Sequence, residues 1–242
     1  MWTLINHLVS PRKFFSLSNK ITPWLSALFF LTFTYGLIGG LWLAPADYLQ
    51  GDAFRIIYVH APSAFLSIFI FTIMAAAACC SLVFRLKLAP SVIRHSAPIG
   101  AGFTLLALIT GSLWGKPMWG TYWIWDARLT SELILLFLYA GIILLQSALA
   151  QKRMGERAIA IFILVGFVDI PIIHYSVYWW NTLHQGATLK LLSPSAIDNS
   201  MLYPLLAMIA AFLLYYAIVL SLHLRYELTA LAENHHWIGK KI

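Results

Sequence analysis

Two histidines outside the long apolar stretches are the residues of this chain best suited to bind a metal. His60 closes the run DYLQGDAFRIIYVH, and His184 lies in WWNTLHQG. A neutral imidazole offers one nitrogen lone pair while a hydrogen bond fixes its other nitrogen. Between the two histidines lies WGKPMWGTYWIWDAR, Trp114 to Arg128, in which Trp114, Trp119, Trp123 and Trp125 fall within twelve residues around Tyr122. Gly115, Pro117 and Gly120 are expected to break any long helix there. Water-facing loops rarely carry so many flat side chains, because each leaves apolar area exposed at roughly 25 cal/mol per Å². This loop therefore packs tightly or offers its rings to a large apolar partner, with each indole N–H as a polar handle.

Imidazole is a standard axial ligand of haem iron. Haem is also the common metal cofactor whose flat apolar body would account for the rings. The plainer alternative, two interfacial histidines bonded to backbone or water, stays open on spacing alone. Arg55 and Arg128 can grip a carboxylate through paired, charge-assisted hydrogen bonds, and haem carries two propionates. Asp126 is placed to cap the helix that follows it, accepting from the N–H of Arg128 or Leu129, and Arg128 can pair with Glu132 at i,i+4. Asp169 and His174 flank Pro171 within an apolar run. Ionisable groups there are functional candidates, but interhelical pairing is the expected role of both. Cys79 and Cys80 are adjacent, a spacing that fits neither a zinc site nor a redox pair, and are expected to be small core residues. The chain shows no nucleophile–base–orienter triad, carboxylate pair or phosphate-binding GxxxxGK[ST] loop. It is not expected to be a classical enzyme or to hydrolyse ATP itself.

The elements that hold these residues are membrane spans. The chain is 61% hydrophobic and 10% charged, against about 25% charged in soluble domains. Six stretches approach the roughly 20 residues needed to cross a bilayer: residues 23–44, 63–84, 97–113, 129–150, 158–178 and 201–224. All six are expected to be helices, because backbone groups in lipid must pair internally, giving an all-α polytopic membrane protein with one six-helix domain over residues 1–242. Of its 16 Lys and Arg, only Arg55, Lys116, Arg128 and Lys190 lie in the segments that follow spans one, three and five. Arg12, Lys13, Lys20, Arg85, Lys87, Arg94, Lys152, Arg153, Arg157, Arg225, Lys240 and Lys241 lie in the alternate ones. This bias puts both termini in the cytoplasm and three loops outside. It also accounts for the net charge of +7 without nucleic acid. The tryptophans follow the same asymmetry: Trp42, the loop set at residues 114–128, Trp179 and Trp180 are outside, leaving Trp2, Trp24 and Trp237 within.

The block WGTYWIWDARLTSELILLFLYAG resembles the tryptophan-rich signature of membrane haem-handling proteins. With APADYLQGDAFRIIYVHAPSA, TGSLWGKPMWG and IPIIHYSVYWWNTLHQG, it is similar to the cytochrome c maturation protein C family, also called haem exporter protein C. The similarity spans about residues 36–187. It implies a bacterial inner-membrane protein that holds haem b at the periplasmic face, with His60 and His184 as the axial ligands. Trp114, Trp119, Trp123, Trp125, Asp126, Arg128 and Arg55 would surround it. It also implies delivery to a periplasmic haem chaperone with covalent attachment there, alongside an ABC transporter's ATPase and membrane subunits and a small single-span helper. The alternatives are a haem-translocating permease subunit, which needs a polar path from the inner side, and a b-type cytochrome in quinone electron transfer, which needs histidine pairs on facing helices.

Overall fold

The computed structural model describes residues 11–149, 153–180, 183–184 and 197–233, and every regular element among them is helical. Helix α1 (Pro11–Ile38) ends in a π-helical turn, Gly39–Leu43. A loop and a 3-10 turn, Asp52–Ile56, lead into α2 (Ile57–Phe84). There follow α3 (Ala89–Trp119), α4 (Ala127–Ala148), α5 (Arg153–Gly166), α6 (Asp169–Trp179) and α7 (Asn199–Glu233). Six stretches are long and apolar enough to cross a membrane: Lys13–Leu43, Asp52–Phe84, Ala89–Trp119, Ala127–Ala148, Met154–Trp179 and Asn199–Ala230. The all-α reading with six apolar spans is observed; the fifth span, expected as one helix, is two, α5 and α6, broken at residues 167–168. Lys152, Lys190, Lys240, Lys241, Trp2, Trp237 and the expected span end at Ala150 lie outside the described residues.

Helix α2 is the central element, packed against α3, α5 and α7, while α1 lies along α7. Its Leu66, Ile70, Phe71 and Met74 are fully buried against Leu135, Tyr139 and Ile142 of α4, Ile163 of α5 and Ile173 of α6. Apolar residues also face outward, as Trp24, Phe30 and Leu31 of α1 do. Lipid is as apolar as leucine, so association rests on close fit and internal hydrogen bonds rather than on hydrophobic burial. Gly100 of α3 shows that fit, since a Cβ there would run into the ring of Tyr139. The Tyr139 hydroxyl in turn donates to the Ser67 carbonyl at 2.7 Å.

Three expectations inside the bundle are corrected. Cys79 is exposed and Cys80 half-buried, so they line the outside of the bundle, where a lipid-facing helix surface accommodates apolar side chains. Asp169 opens α6 after the break that follows Gly166; it is buried, and its Oδ2 has no partner among the described residues. Pro171 falls in the first turn of α6, where a missing N–H is tolerated. His174 is exposed and meets the neighbouring Tyr175 ring edge-on, with centroids 4.8 Å apart; it makes no hydrogen bond across helices among the described residues.

Candidate functional site

Helix α2 begins at Ile57, ahead of the expected residue 63, so His60 sits in its first turn facing α3. His60 Nδ1 lies 3.1 Å from the Ala107 carbonyl oxygen and 3.1 Å from Thr110 Oγ1. A carbonyl can only accept, so Nδ1 carries the proton and Nε2 the lone pair. The ring also meets the edge of Trp114, centroids 5.6 Å apart. Trp114 is held in its turn: its Nε1–H donates to Gln50 Oε1 at 2.9 Å, and Phe54 lies edge-on to it.

The tryptophan stretch is not one loop. Helix α3 runs through Gly115 and Pro117 to Trp119, correcting the expected break at those residues. Pro117 has no N–H to give the Leu113 carbonyl, so the helix loses one backbone bond near its end yet continues for two more residues. The helix stops at Gly120, where φ is 77°, the left-handed conformation that glycine adopts without strain. Trp114 and Trp119 are therefore fixed by helix geometry, while Trp123 and Trp125 belong to the short irregular run before α4. Their rings meet at 77° with centroids 5.4 Å apart. Trp125 is 77% exposed. Trp123 Nε1 is buried with no partner among the described residues, an orphan donor beside the exposed rings.

Asp126 does cap α4, as its position suggests: Oδ1 accepts from the Leu129 N–H at 2.8 Å. It has a second contact that local sequence does not show. Its Oδ2 accepts from His184 Nδ1 at 2.9 Å, across 58 residues of chain. A carboxylate on Nδ1 places the proton there and leaves the lone pair on Nε2, the arrangement that orients metal-bound histidines. His184 also meets the ring of Trp119, centroids 4.8 Å apart. Burial pushes the His184 imidazole below its ordinary 6.5, while the Asp126 carboxylate pulls it back up. Each histidine thus rests on a tryptophan near the end of α3, and His60, His184 and Arg128 lie within electrostatic reach of one another.

The two arginines differ. Arg128 is half-buried and makes no ion pair with a described residue. The expected pairing with Glu132 is absent, because Glu132 turns into the bundle and accepts from Ser67 Oγ at 2.7 Å. Arg55 is partly committed: Nε binds Asp52 at 2.9 Å, and Nη1 donates to the Gly40 carbonyl at 3.1 Å. Among the described residues no cluster of three His, Cys, Asp or Glu side chains can hold a bare metal ion. Two imidazoles are too few for a structural zinc, whereas haem iron needs no more than two ligands from a protein.

A family model described as Heme exporter protein C matches residues 4–239. The chain belongs to this family. It is 46% identical over 242 residues to Heme exporter protein C of Escherichia coli K12, covering 100% of this chain and 98% of the relative. It is 44% identical over 238 residues to the protein of that name from Haemophilus influenzae, covering 98% and 97%. A ccmC-like mitochondrial protein of Marchantia polymorpha, named for cytochrome c biosynthesis, is 46% identical over 172 residues, 71% of this chain and 72% of its own. Membership places the chain among membrane proteins of cytochrome c maturation. Gln50, Ala107 and Thr110 escaped sequence reasoning, although each touches a site residue. Ala107 acts through its backbone, which no side-chain pattern reveals; TGSLWG did carry Thr110 within a quoted signature, but without a role.

Proposed function

We propose that this member of the Heme exporter protein C family holds haem b at the periplasmic face of the bacterial inner membrane, with His60 and His184 as the two axial ligands. It would deliver the haem to a periplasmic haem chaperone and promote covalent attachment there, together with an ABC transporter's ATPase and membrane subunits and a small single-span helper. The observation that carries this reading is shared by both histidines: an acceptor on Nδ1 leaves the Nε2 lone pair for a metal. When bound, haem would supply an iron that takes imidazole nitrogen as ligand, together with a broad apolar face. The chain's own groups do the rest. Ala107 and Thr110 orient His60, and Asp126 orients His184. Trp114 and Trp119 back the two imidazoles and exclude water from them. The exposed Trp125, with the half-buried Trp123 against it, offers an aromatic face open to a soluble partner. Arg128, and in part Arg55, supply positive charge for propionates. The charge bias of the loops supports the periplasmic placement.

The test is the absorption spectrum of the purified full-length protein reconstituted with haem. His60→Ala or His184→Ala should replace low-spin bands by those of five-coordinate or water-ligated iron, and the double substitution should lose stable haem. His174→Ala should keep the low-spin spectrum. If the double variant keeps its haem and low-spin bands while His174→Ala loses them, the ligands lie elsewhere in the bundle.

A further inference from the structure

Thr110 and Gly111 lie together on α3, one turn before Trp114 and opposite the first turn of α2. The Thr110 hydroxyl has one proton. It lies 2.6 Å from the Leu106 carbonyl oxygen and 3.2 Å from that of Ala107. Both carbonyls can only accept, so the hydroxyl proton goes to the shorter contact and Oγ1 turns a lone pair towards His60 Nδ1, 3.1 Å away. The other acceptor at Nδ1 is the Ala107 carbonyl, which lies within α3 and already accepts its own helical bond. Thr110 is thus the side chain that holds the His60 proton on Nδ1. Gly111 contributes space. A Cβ built on it would lie 3.0 Å from His60 Cε1, 3.5 Å from Nδ1 and 3.9 Å from Nε2. The imidazole rests on the bare backbone of α3 by the edge that joins its two nitrogens, so any side chain at 111 would push both nitrogens outward together.

We propose that Thr110 and Gly111 are positioning residues for His60, Thr110 setting which nitrogen carries the proton and Gly111 setting how deeply the ring is seated. This rests on the reading of His60 as an iron ligand. Gly111 sits in the helix interior without unusual backbone torsion, and alanine is the better helix former there. Gly111→Ala should therefore insert normally and change only the seat of the ring. Thr110→Val keeps the branched shape and deletes the acceptor, while Thr110→Ser keeps the acceptor.

The experiment compares full-length Thr110→Val, Thr110→Ser, Gly111→Ala and His60→Ala by haem titration, absorption and electron paramagnetic resonance. A ¹⁵N NMR spectrum of the His60 ring is taken before haem is added. Thr110→Val and Gly111→Ala should each bind haem about 10–100-fold more weakly, the usual cost of losing a group that orients a metal ligand. Both should shift iron towards the state seen in His60→Ala, with added imidazole restoring the low-spin signal. Thr110→Ser should match wild type. In haem-free protein the His60 ring should be the Nδ1–H form in wild type and a mixture of forms in Thr110→Val. If His60→Ala loses the low-spin bands while Thr110→Val and Gly111→Ala keep wild-type affinity and spectrum, the positioning roles are refuted and the ligand reading stands. If His60→Ala itself leaves the spectrum unchanged, the ligand reading fails. An unchanged His60 ring form in Thr110→Val refutes the role of Thr110 whatever the haem does.

Discussion

Replacing Asp126 by asparagine separates two functions carried by one carboxyl group. Oδ1 accepts from the Leu129 N–H at 2.8 Å and Oδ2 from His184 Nδ1–H at 2.9 Å. Asparagine has a single oxygen, so it can serve one of these donors but not both. As a cap it equals aspartate, so the oxygen should stay with Leu129 and the helix lose nothing. The amide NH₂ would then face His184 Nδ1 and donate to it, which moves the imidazole proton to Nε2, the nitrogen needed for iron. Loss of such an orienting partner weakens metal binding about 10–100-fold, or about 1.4–2.8 kcal/mol. Asp126→Ala would add the loss of the cap, about 0.5–2 kcal/mol of helix stability. Haem titration of the purified variants reads the first effect, and thermal unfolding in the same detergent reads the second. The expected pattern is normal unfolding with weak haem binding for Asp126→Asn, and both defects for Asp126→Ala. Wild-type haem affinity in Asp126→Asn would reduce Asp126 to a helix cap and refute the argument.

Other outcomes follow from the same geometry. Trp125→Ala and Trp123→Ala should insert normally but transfer haem poorly to the chaperone, by roughly 1–3 kcal/mol per ring if porphyrin stacks as nucleobases do; unchanged transfer in both would remove the irregular run from the platform. A reporter fused after Gly120 should be active only in the periplasm, and cytoplasmic activity would reverse the orientation of every loop. In haem-free protein His184 should titrate below 6.5, because burial outweighs the favourable Asp126 charge. A lowered histidine value leaves the folded arrangement at full strength above pH 6.5 and weakens it as pH falls from there through the folded-state value. NMR titration of the ring checks this, and a value above 6.5 would contradict it.

The fold was legible because lipid removes alternatives: long apolar runs must be helices, and the cap at Asp126 is a local signal. Helix ends were less legible. Pro117 and Gly115 read as breakers, yet the last turn of α3 tolerates both, so Trp114 and Trp119 became helix residues rather than loop residues. Cys79 and Cys80 were misplaced because apolarity does not separate the core from the lipid-facing surface. His60 and His184 stood out by type and position. Their partners did not, since Asp126–His184 and Trp114–Gln50 join segments 58 and 64 residues apart. No periodicity encodes which loop meets which.

The two histidines are held by different parts of the molecule. His60 is built into the first turn of α2, which packs against α3, α5 and α7, and moving its backbone means unwinding that turn. His184 lies five residues beyond the end of α6, outside any helix, where it bonds Asp126 and meets the ring of Trp119. Segments of a protein open with separate free energies, lower in the connections than in packed helices. A ligand bridging the two would therefore straddle two layers of local stability. In hydrogen exchange, the His184 side should open by its own small fluctuation and the His60 side only with its helix, so mild denaturant should free one flank of the site well before the other.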